Sequence, residues 1–225
     1  SEEVTISGPT RIRVSNGNGD YSKTYDWDNI NVNSAEIVTT TWDDGAELSS
    51  SSSGAYSKIS DSSIARNGTE LIRYEDTNDD AWVEPTDVVG YGLGETFTQS
   101  MRMESPSSTN SAGVLFDVDD ASLSSVLVRY RNNNGQNEWH LVDRGDTGIK
   151  DSFTYEASAD TWYDIQTRIR PNGSVVSKIY ESGSQIGVLS TSNSITDGSG
   201  KTLGFNINTA NTDKVWFDSV NKTIS

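Results

Sequence analysis

A short acidic segment carries oxygen-bearing side chains at the spacing of a calcium-binding loop. Asp76, Asn78 and Asp80 stand at alternate positions, and Glu84 follows them. Calcium takes about six to eight oxygen ligands, which carboxylates and amides clustered in one loop can supply. The segment departs from an EF-hand, because Ala81 replaces the turn glycine. It therefore predicts a calcium site, with a solvated acidic turn as the alternative.

A second group combines basic, imidazole and aromatic side chains. Arg129 and Arg131 alternate along one segment, and His140 lies on what we expect to be a neighbouring strand. The planar guanidinium of arginine binds a carboxylate through two hydrogen bonds, which suits acidic sugars. Trp82 offers an aromatic face that can stack on a sugar ring. These four residues form our predicted ligand-binding surface, and the alternative is that the tryptophans fill the core and the arginines balance nearby acids.

The charge of the chain excludes one large class of partner. The sequence holds 33 acidic and 17 basic residues, a formal net charge of −16. Nucleic acid is bound by basic patches, so it is excluded, and anionic membrane surfaces are disfavoured. No apolar run approaches the roughly 20 residues of a membrane span, so we expect no membrane insertion.

A halophilic protein fits this composition, because a dense acidic surface stays hydrated in high salt; an ordinary acidic extracellular protein is the alternative.

The elements that must position these residues are β-strands. Sustained helical periodicity is absent, whereas alternation of apolar and polar residues is frequent in the second half of the chain. The clearest predicted strands are 97–103, 114–118, 126–131, 139–141, 163–169, 175–179, 203–207 and 215–217. Gly-containing and Asn-containing turn sequences separate them. Many short strands in this arrangement predict an all-β sandwich or barrel.

The chain divides into two parts of unequal regularity. Residues 1–32 are irregular around Gly8 and Pro9 and predict an N-terminal arm or hairpin that serves as an attachment segment. Residues 33–225 hold the regular strands and predict the main domain.

Five stretches resemble strands of concanavalin A-like and laminin-G-like domains. They are residues 42–48 (WDDGAEL), 112–117 (AGVLFD), 126–130 (VLVRY), 161–173 (TWYDIQTRIRPNG) and 204–220, which ends in VWFDSV. The resemblance covers about residues 35–222. With its serine-rich loops and acidic turns, the chain is similar to domains in surface and virus proteins of salt-loving archaea. The resemblance implies an all-β, two-sheet antiparallel jelly-roll sandwich.

The resemblance also implies a second calcium candidate. In similar carbohydrate-binding sandwiches, the Asp of the closing strand helps to hold a structural calcium ion. Here that residue is Asp218, and Asp43 near the opening strand is a plausible partner; a surface aspartate is the alternative reading of Asp218. Calcium is the one cofactor that we predict.

We find no catalytic motif in the sequence. Glycan-cleaving relatives carry E-x-D-x-x-E or E-x-D-x-E on one strand, or Gln-x-His with a distant Tyr and Arg. The single histidine, His140, is preceded at that spacing by Glu138 instead. A Gly-x-Ser-x-Gly elbow is absent as well, and there is no cysteine.

We therefore expect a non-catalytic binding or adhesion module at a virion or cell surface. Its predicted partners are a glycan or surface glycoprotein, other virion or surface-layer proteins, and further copies of itself. In the viral case the chain would be a fibre, spike or capsid decoration. A polysaccharide-cleaving enzyme of the same fold and a purely structural component stay open as alternatives, because fold alone does not choose among them.

Overall fold

The computed structural model describes residues 36–40, 48–50, 56–74, 78–83, 93–107, 111–118, 125–133, 135–146, 148–196, 202–208 and 214–224. All regular secondary structure in these ranges is β-strand. The described residues include no helix that is long and apolar enough to cross a membrane. The predicted arm, residues 1–32, lies outside them, so the predicted division of the chain stays a prediction.

The described strands follow one another closely along the chain. In order they are β1 (Glu36–Thr40), β2 (Leu48–Ser50), β3 (Tyr56–Ser60), β4 (Glu70–Tyr74), β5 (Asn78–Val83), β6 (Thr96–Met103), β7 (Ser111–Val118), β8 (Val126–Asn133), β9 (Gln136–Asp143), β10 (Gly148–Thr154), β11 (Trp162–Ile169), β12 (Val175–Glu181), β13 (Ser184–Ser190), β14 (Thr202–Asn208) and β15 (Val215–Ile224).

These strands form two antiparallel sheets. The eight-stranded sheet has the order β13-β12-β11-β6-β15-β4-β3, and β1 also pairs with β15. The seven-stranded sheet has the order β10-β9-β8-β7-β14-β5-β2. Neighbours in each sheet are often far apart in sequence, as are β6 and β15 in one and β7 and β14 in the other. The predicted all-β, two-sheet antiparallel jelly-roll sandwich is confirmed.

The core lies between the sheets and is built from alternate residues of each strand. On β8, Val126, Val128 and Tyr130 are buried, as the alternation predicted. Successive side chains of a strand point to opposite faces, so the residues between them belong to the outer face of the sheet.

Aromatic pairs join the two sheets. Phe205 of β14 stacks on Phe217 of β15, with ring centroids 4.2 Å apart. Trp139 of β9 contacts Tyr163 of β11 at 5.4 Å. Each pair has one member in each sheet and all four rings are buried, so these contacts fix how the sheets pack.

Replacing Phe205 with Ala is expected to lower the free energy of unfolding by about 3–5 kcal/mol, because it leaves a cavity under the ring of Phe217. Urea denaturation measures the change. Ile149→Ala is the control, because Ile149 is 51% exposed and its truncation creates no cavity. Equal losses in the two variants would contradict the assignment of Phe205 to the core.

Candidate functional site

The outer face of the seven-stranded sheet brings together three of the four residues of the predicted ligand surface. Arg129 of β8 lies directly opposite His140 of β9, and Arg131 lies opposite Glu138. Directly opposed residues of an antiparallel pair have their side chains on the same face, with Cβ atoms about 4.5–5.5 Å apart. The two arginines and the imidazole are therefore neighbours, which the sequence could predict only if β8 and β9 paired in this register.

Trp82 lies on β5, a strand of the same sheet that is not a neighbour of β8. It pairs with Gly204 of β14, and Asp80 pairs with Asn206, which in turn lies opposite Gly113 of β7. Three strand spacings separate β5 from β8, a lateral distance of about 14 Å. The backbone of Trp82 is thus not adjacent to that of Arg129.

Between β5 and β8 the face is lined by small residues. Gly113 lies opposite Arg129, and a Cβ at that position would fall 2.6 Å from Arg129 Cβ and 2.4 Å from the carbonyl oxygen of Val128. Only glycine fits this close approach of β7 to β8, and it leaves the space beside Arg129 without a side chain. Ser111 and Asn206 flank the glycine on its own strand and on β14. We call Gly113, Ser111 and Asn206 the floor of this face; Gly113 and Ser111 are buried and Asn206 is half-buried.

Exposure rises from one end of this face to the other. The apolar row of Leu115, Leu127 and Val142 is buried and forms a cluster separate from the main core. The next row contains His140, whose side chain is 3% exposed, and the row after that contains Glu138, whose side chain is 36% exposed. The site therefore has a closed apolar end and an open polar end.

Burial favours the neutral form of the His140 imidazole, and one of its ring nitrogens has no hydrogen-bond partner. Its Nε2 lies 3.0 Å from Oε2 of Glu138, and its buried Nδ1 has no hydrogen-bond partner. Burial lowers the pKa of His140, and the charges of Arg129 and Arg131 lower it further, while the hydrogen bond to Glu138 acts in the opposite direction. Because a carboxylate only accepts, the ring proton belongs on Nε2, and Nδ1 is an unpaired acceptor.

Arg129 and Arg131 carry positive charge that the described part of the chain leaves unpaired. Neither residue forms an ion pair there, and the buried Nε of Arg129 has no hydrogen-bond partner. Burial lowers the pKa of Arg129, and the nearby charges of Arg131 and Arg144 add to this effect. The arrangement offers hydrogen-bond donors and positive charge beside the acceptor nitrogen of His140.

Asp218 performs a structural task on the outer face of the other sheet. It is 2% exposed, and its Oδ2 accepts the backbone N–H groups of Arg66 and Asn67 at 2.5 and 3.0 Å. The Arg66 guanidinium also donates to Asp164 at 2.8 Å, and Trp162 Nε1 donates to the carbonyl of Ile64. These contacts hold the loop between β3 and β4 across the sheet.

The predicted calcium loop has a different backbone from the one expected. Asn78 and Asp80 belong to β5, a paired strand, so they cannot belong to a loop that winds around an ion. The predicted ligands Asp43, Asp76 and Glu84 lie outside the described residues. Among the residues that the structure describes, no three His, Cys, Asp or Glu side chains form a group that could hold a metal ion. Calcium stays a prediction.

One further concave feature escaped the sequence analysis. A cleft of 360 Å³ lies at the end of the β9–β10 hairpin beside the chain that leaves β13. Its lining is mostly hydroxyl, amide and carboxylate groups, with Lys150 hydrogen-bonded to Asp146 at 2.6 Å. Serine and threonine are spread over the whole sequence, so composition gave no signal for it.

Comparison with known proteins gives solved structures of similar fold. No family model and no curated protein matches the sequence. Among solved structures, the chain is similar to an endo-beta-1,4-glucuronan lyase from the fungus Trichoderma reesei (TM-score 0.51, 15% identity, 80% of this chain and 90% of that one). It is also similar to the VIP36 exoplasmic/lumenal domain in a Ca2+/Man3GlcNAc-bound form (TM-score 0.54, 7% identity, 80% and 86%).

A third similar structure is the botulinum neurotoxin serotype D binding domain (TM-score 0.50, 15% identity, 80% of this chain). The present chain spans 44% of the length of that one. At these identities the likeness concerns the fold alone. It shows a concanavalin A-like β-sandwich and confirms that part of the resemblance seen in the sequence.

Asp218→Ala is expected to lower the free energy of unfolding by about 3 kcal/mol, because two N–H groups lose a charged, buried acceptor. Asp146→Ala is the control: its carboxylate, paired with Lys150, is 75% exposed, so its loss costs about 0–1 kcal/mol. Since N–H donors already occupy Oδ2 of Asp218, we expect the same loss with added calcium and with a chelator. A loss that appears only with calcium would make Asp218 a calcium ligand.

The pH dependence of stability tests the environment of His140. The ordinary pKa of histidine is 6.5 and that of His140 is lower, so the unfolded chain takes up a proton first as the pH falls. The stabilisation from the neutral imidazole is thus complete above pH 6.5 and is lost as the pH falls towards the lowered pKa. In urea denaturation, the difference in unfolding free energy between the wild type and His140→Gln should shrink on acidification from about pH 7.5 to about pH 5.5. A difference that grows on acidification would show that His140 is protonated in the folded chain.

Proposed function

We propose that the chain is a non-catalytic glycan-binding module whose ligand lies on the outer face of the seven-stranded sheet. One observation carries the proposal: Arg129 Nε and His140 Nδ1 are buried polar atoms without partners, side by side on one face. Buried polar groups almost always have a hydrogen-bond partner, and an unmet one costs about 1–3 kcal/mol. A sugar hydroxyl both donates and accepts, so it can satisfy both atoms.

The shape of the face supports this proposal. The floor at Gly113, Ser111 and Asn206 carries small side chains beside the arginine, and exposure increases towards Arg131 and Glu138. Ligand sites place few polar groups among apolar ones, and here the buried apolar row that contains Leu115 adjoins the polar residues. The solved structures with this fold include a domain bound to Man3GlcNAc, which supports glycan recognition at a general level.

The setting of the module is part of the proposal. We place it outside the cell, at a virion or cell surface, where it binds a glycan or glycoprotein. The net charge of −16 supports work in high salt, because such a surface stays soluble where salt screens its charges. In a fibre, spike or capsid decoration, the module would present this face away from the particle, towards the ligand.

A polysaccharide lyase is a second candidate function, because of His140. A neutral histidine beside two arginines can take the proton on the carbon next to a sugar carboxylate while a guanidinium neutralises that carboxylate. The leaving oxygen would need a proton donor, and the described side chains of this face include no tyrosine. The lyase is therefore the weaker candidate. Its signature is an unsaturated uronate product, detected by ultraviolet absorbance and abolished by His140→Gln.

A steric block tests the binding proposal. Asn208 of β14 is exposed and lies opposite Ser111, so Asn208→Trp should fill the floor and weaken glycan binding by roughly tenfold or more. Binding is measured on an immobilised glycan panel, first with calcium and then with a chelator. Gln185→Trp is the matched control, since Gln185 is an exposed neutral residue on a strand of the other sheet.

Three outcomes are informative. Loss of binding in Asn208→Trp alone supports the face as the ligand site. Equal binding in both variants would move the site elsewhere on the sandwich. Absence of binding to every glycan, with the wild type folded by circular dichroism, would leave a purely structural role.

A further inference from the structure

We propose that the ligand is an anionic glycan that carries carboxylate groups, and that Arg129 and Arg131 select it over neutral glycans. This inference rests on the proposed function, since it names the ligand class for the same face. The two arginines alternate on β8 and are therefore about 7 Å apart along the strand on one side of the sheet. A polymer with a carboxylate on each sugar residue can meet both.

Among the described basic residues that form no ion pair with another described residue, Arg129 and Arg131 are half-buried, whereas Arg168, Arg170 and Lys178 are exposed to water. Acidic residues outnumber basic ones by 33 to 17, so a basic side chain finds an acidic partner easily. Five basic residues do so within the described ranges: Lys58 with Glu70, Arg66 with Asp164, Arg102 with Asp160, Lys150 with Asp146 and Lys214 with Glu104. Arg129 and Arg131 lie side by side without such a partner there, although like charges repel.

One described carboxylate lies beside the arginines without forming an ion pair with either of them. Glu138 lies opposite Arg131, but its Oε2 is engaged by His140 Nε2 at 3.0 Å. Arg144 adds a further positive charge close enough to act on Arg129. On β8 and β9, the two arginines of this face outnumber its one carboxylate, Glu138. The site therefore favours an anion.

The chemistry of the guanidinium favours a carboxylate. Its planar fork donates two parallel hydrogen bonds to the two oxygens of a carboxylate, and such charge-assisted pairs are about twice as strong as neutral ones. The partly buried Arg129 gains most from this pairing, because low surrounding polarity strengthens it. Nδ1 of His140 remains available to accept a hydroxyl of the same sugar.

A matched pair of polymers tests the selectivity. Polygalacturonate and its carboxyl-reduced form share one backbone and differ only in the carboxylate. We expect the reduced polymer to bind roughly tenfold to hundredfold more weakly in calorimetry, as the loss of one or two charged hydrogen bonds implies. The difference in affinity between the two polymers should become smaller as the salt concentration is raised over a range in which the protein stays folded, because salt screens exposed charges.

Arginine variants test which residues cause the difference in affinity between the two polymers. Arg131→Gln is expected to weaken binding of polygalacturonate roughly tenfold and to leave binding of the reduced polymer unchanged. Arg129→Gln should do the same, and Arg131→Lys should fall between wild type and R131Q, because lysine keeps the charge but lacks the planar fork. Arg168→Gln is the control, since Arg168 is an exposed arginine on a strand of the eight-stranded sheet. Melting temperatures establish that each variant is folded.

The outcomes separate this inference from the proposed function. Equal binding of the two polymers, unaffected by R131Q, would overturn acid selectivity and leave glycan binding in place. No binding to either polymer or to any neutral glycan would overturn the proposed function itself. Binding to a sulfated glycan alone would overturn the carboxylate assignment. Self-association that vanishes in R131Q would show that the arginines meet the acidic surface of a second copy instead.

Discussion

Contact between aromatic rings across the two sheets is the constraint on which the other features depend. The chain has few aliphatic residues for its length, since all hydrophobic types together make up 32% of it. Large rings such as Trp139 and Phe205 supply the apolar area that the sandwich buries. Because the Phe205–Phe217 and Trp139–Tyr163 pairs each have one member in each sheet, the core also fixes the face that every strand turns outward.

That fixed orientation creates the candidate site. Side chains alternate along a strand, so burial of Tyr130 forces its neighbours Arg129 and Arg131 to the outer face. Pairing of β8 with β9 then sets Arg129 against His140, and pairing with β7 sets it against Gly113. A slip of one residue in either pairing would move one partner of each pair into the core and would break up the site.

This face carries two arginines, although the molecule as a whole is strongly acidic. Most of the charged residues are acidic. A positively charged patch can therefore form only where acidic side chains are distant or are hydrogen-bonded to other groups. The hydrogen bond between Glu138 and His140 is such a case. The other sheet uses its buried carboxylate differently, since Asp218 holds a surface loop through backbone N–H groups. One sandwich thus carries the proposed ligand site on one face and is covered on the other by its own loop between β3 and β4.

The sequence determined the strands with strong alternation, the absence of helical periodicity and the residue types of the ligand surface. Segments such as 126–131 and 163–169 could be predicted because each has one buried face, which leaves a period-two pattern. Edge strands such as β10 and β13 were missed, because they bury few residues and lack that pattern. The strand at Asn78–Val83 was not predicted, because acidic residues are rare in strands and the partner that pairs it, β14, lies more than a hundred residues away.

Only the tertiary structure decided which of the candidate residues meet. Pairing registers between distant strands are not written in local composition, so the distance of Trp82 from Arg129 and the position of Gly113 beside that arginine came from the sheet. The unpaired state of Arg129 Nε and His140 Nδ1 also came from it, since it depends on every neighbour in three dimensions. The sequence supplied the chemistry of the site, and the fold supplied its geometry, because hydrogen bonding and burial are properties of neighbours in space and not of neighbours along the chain.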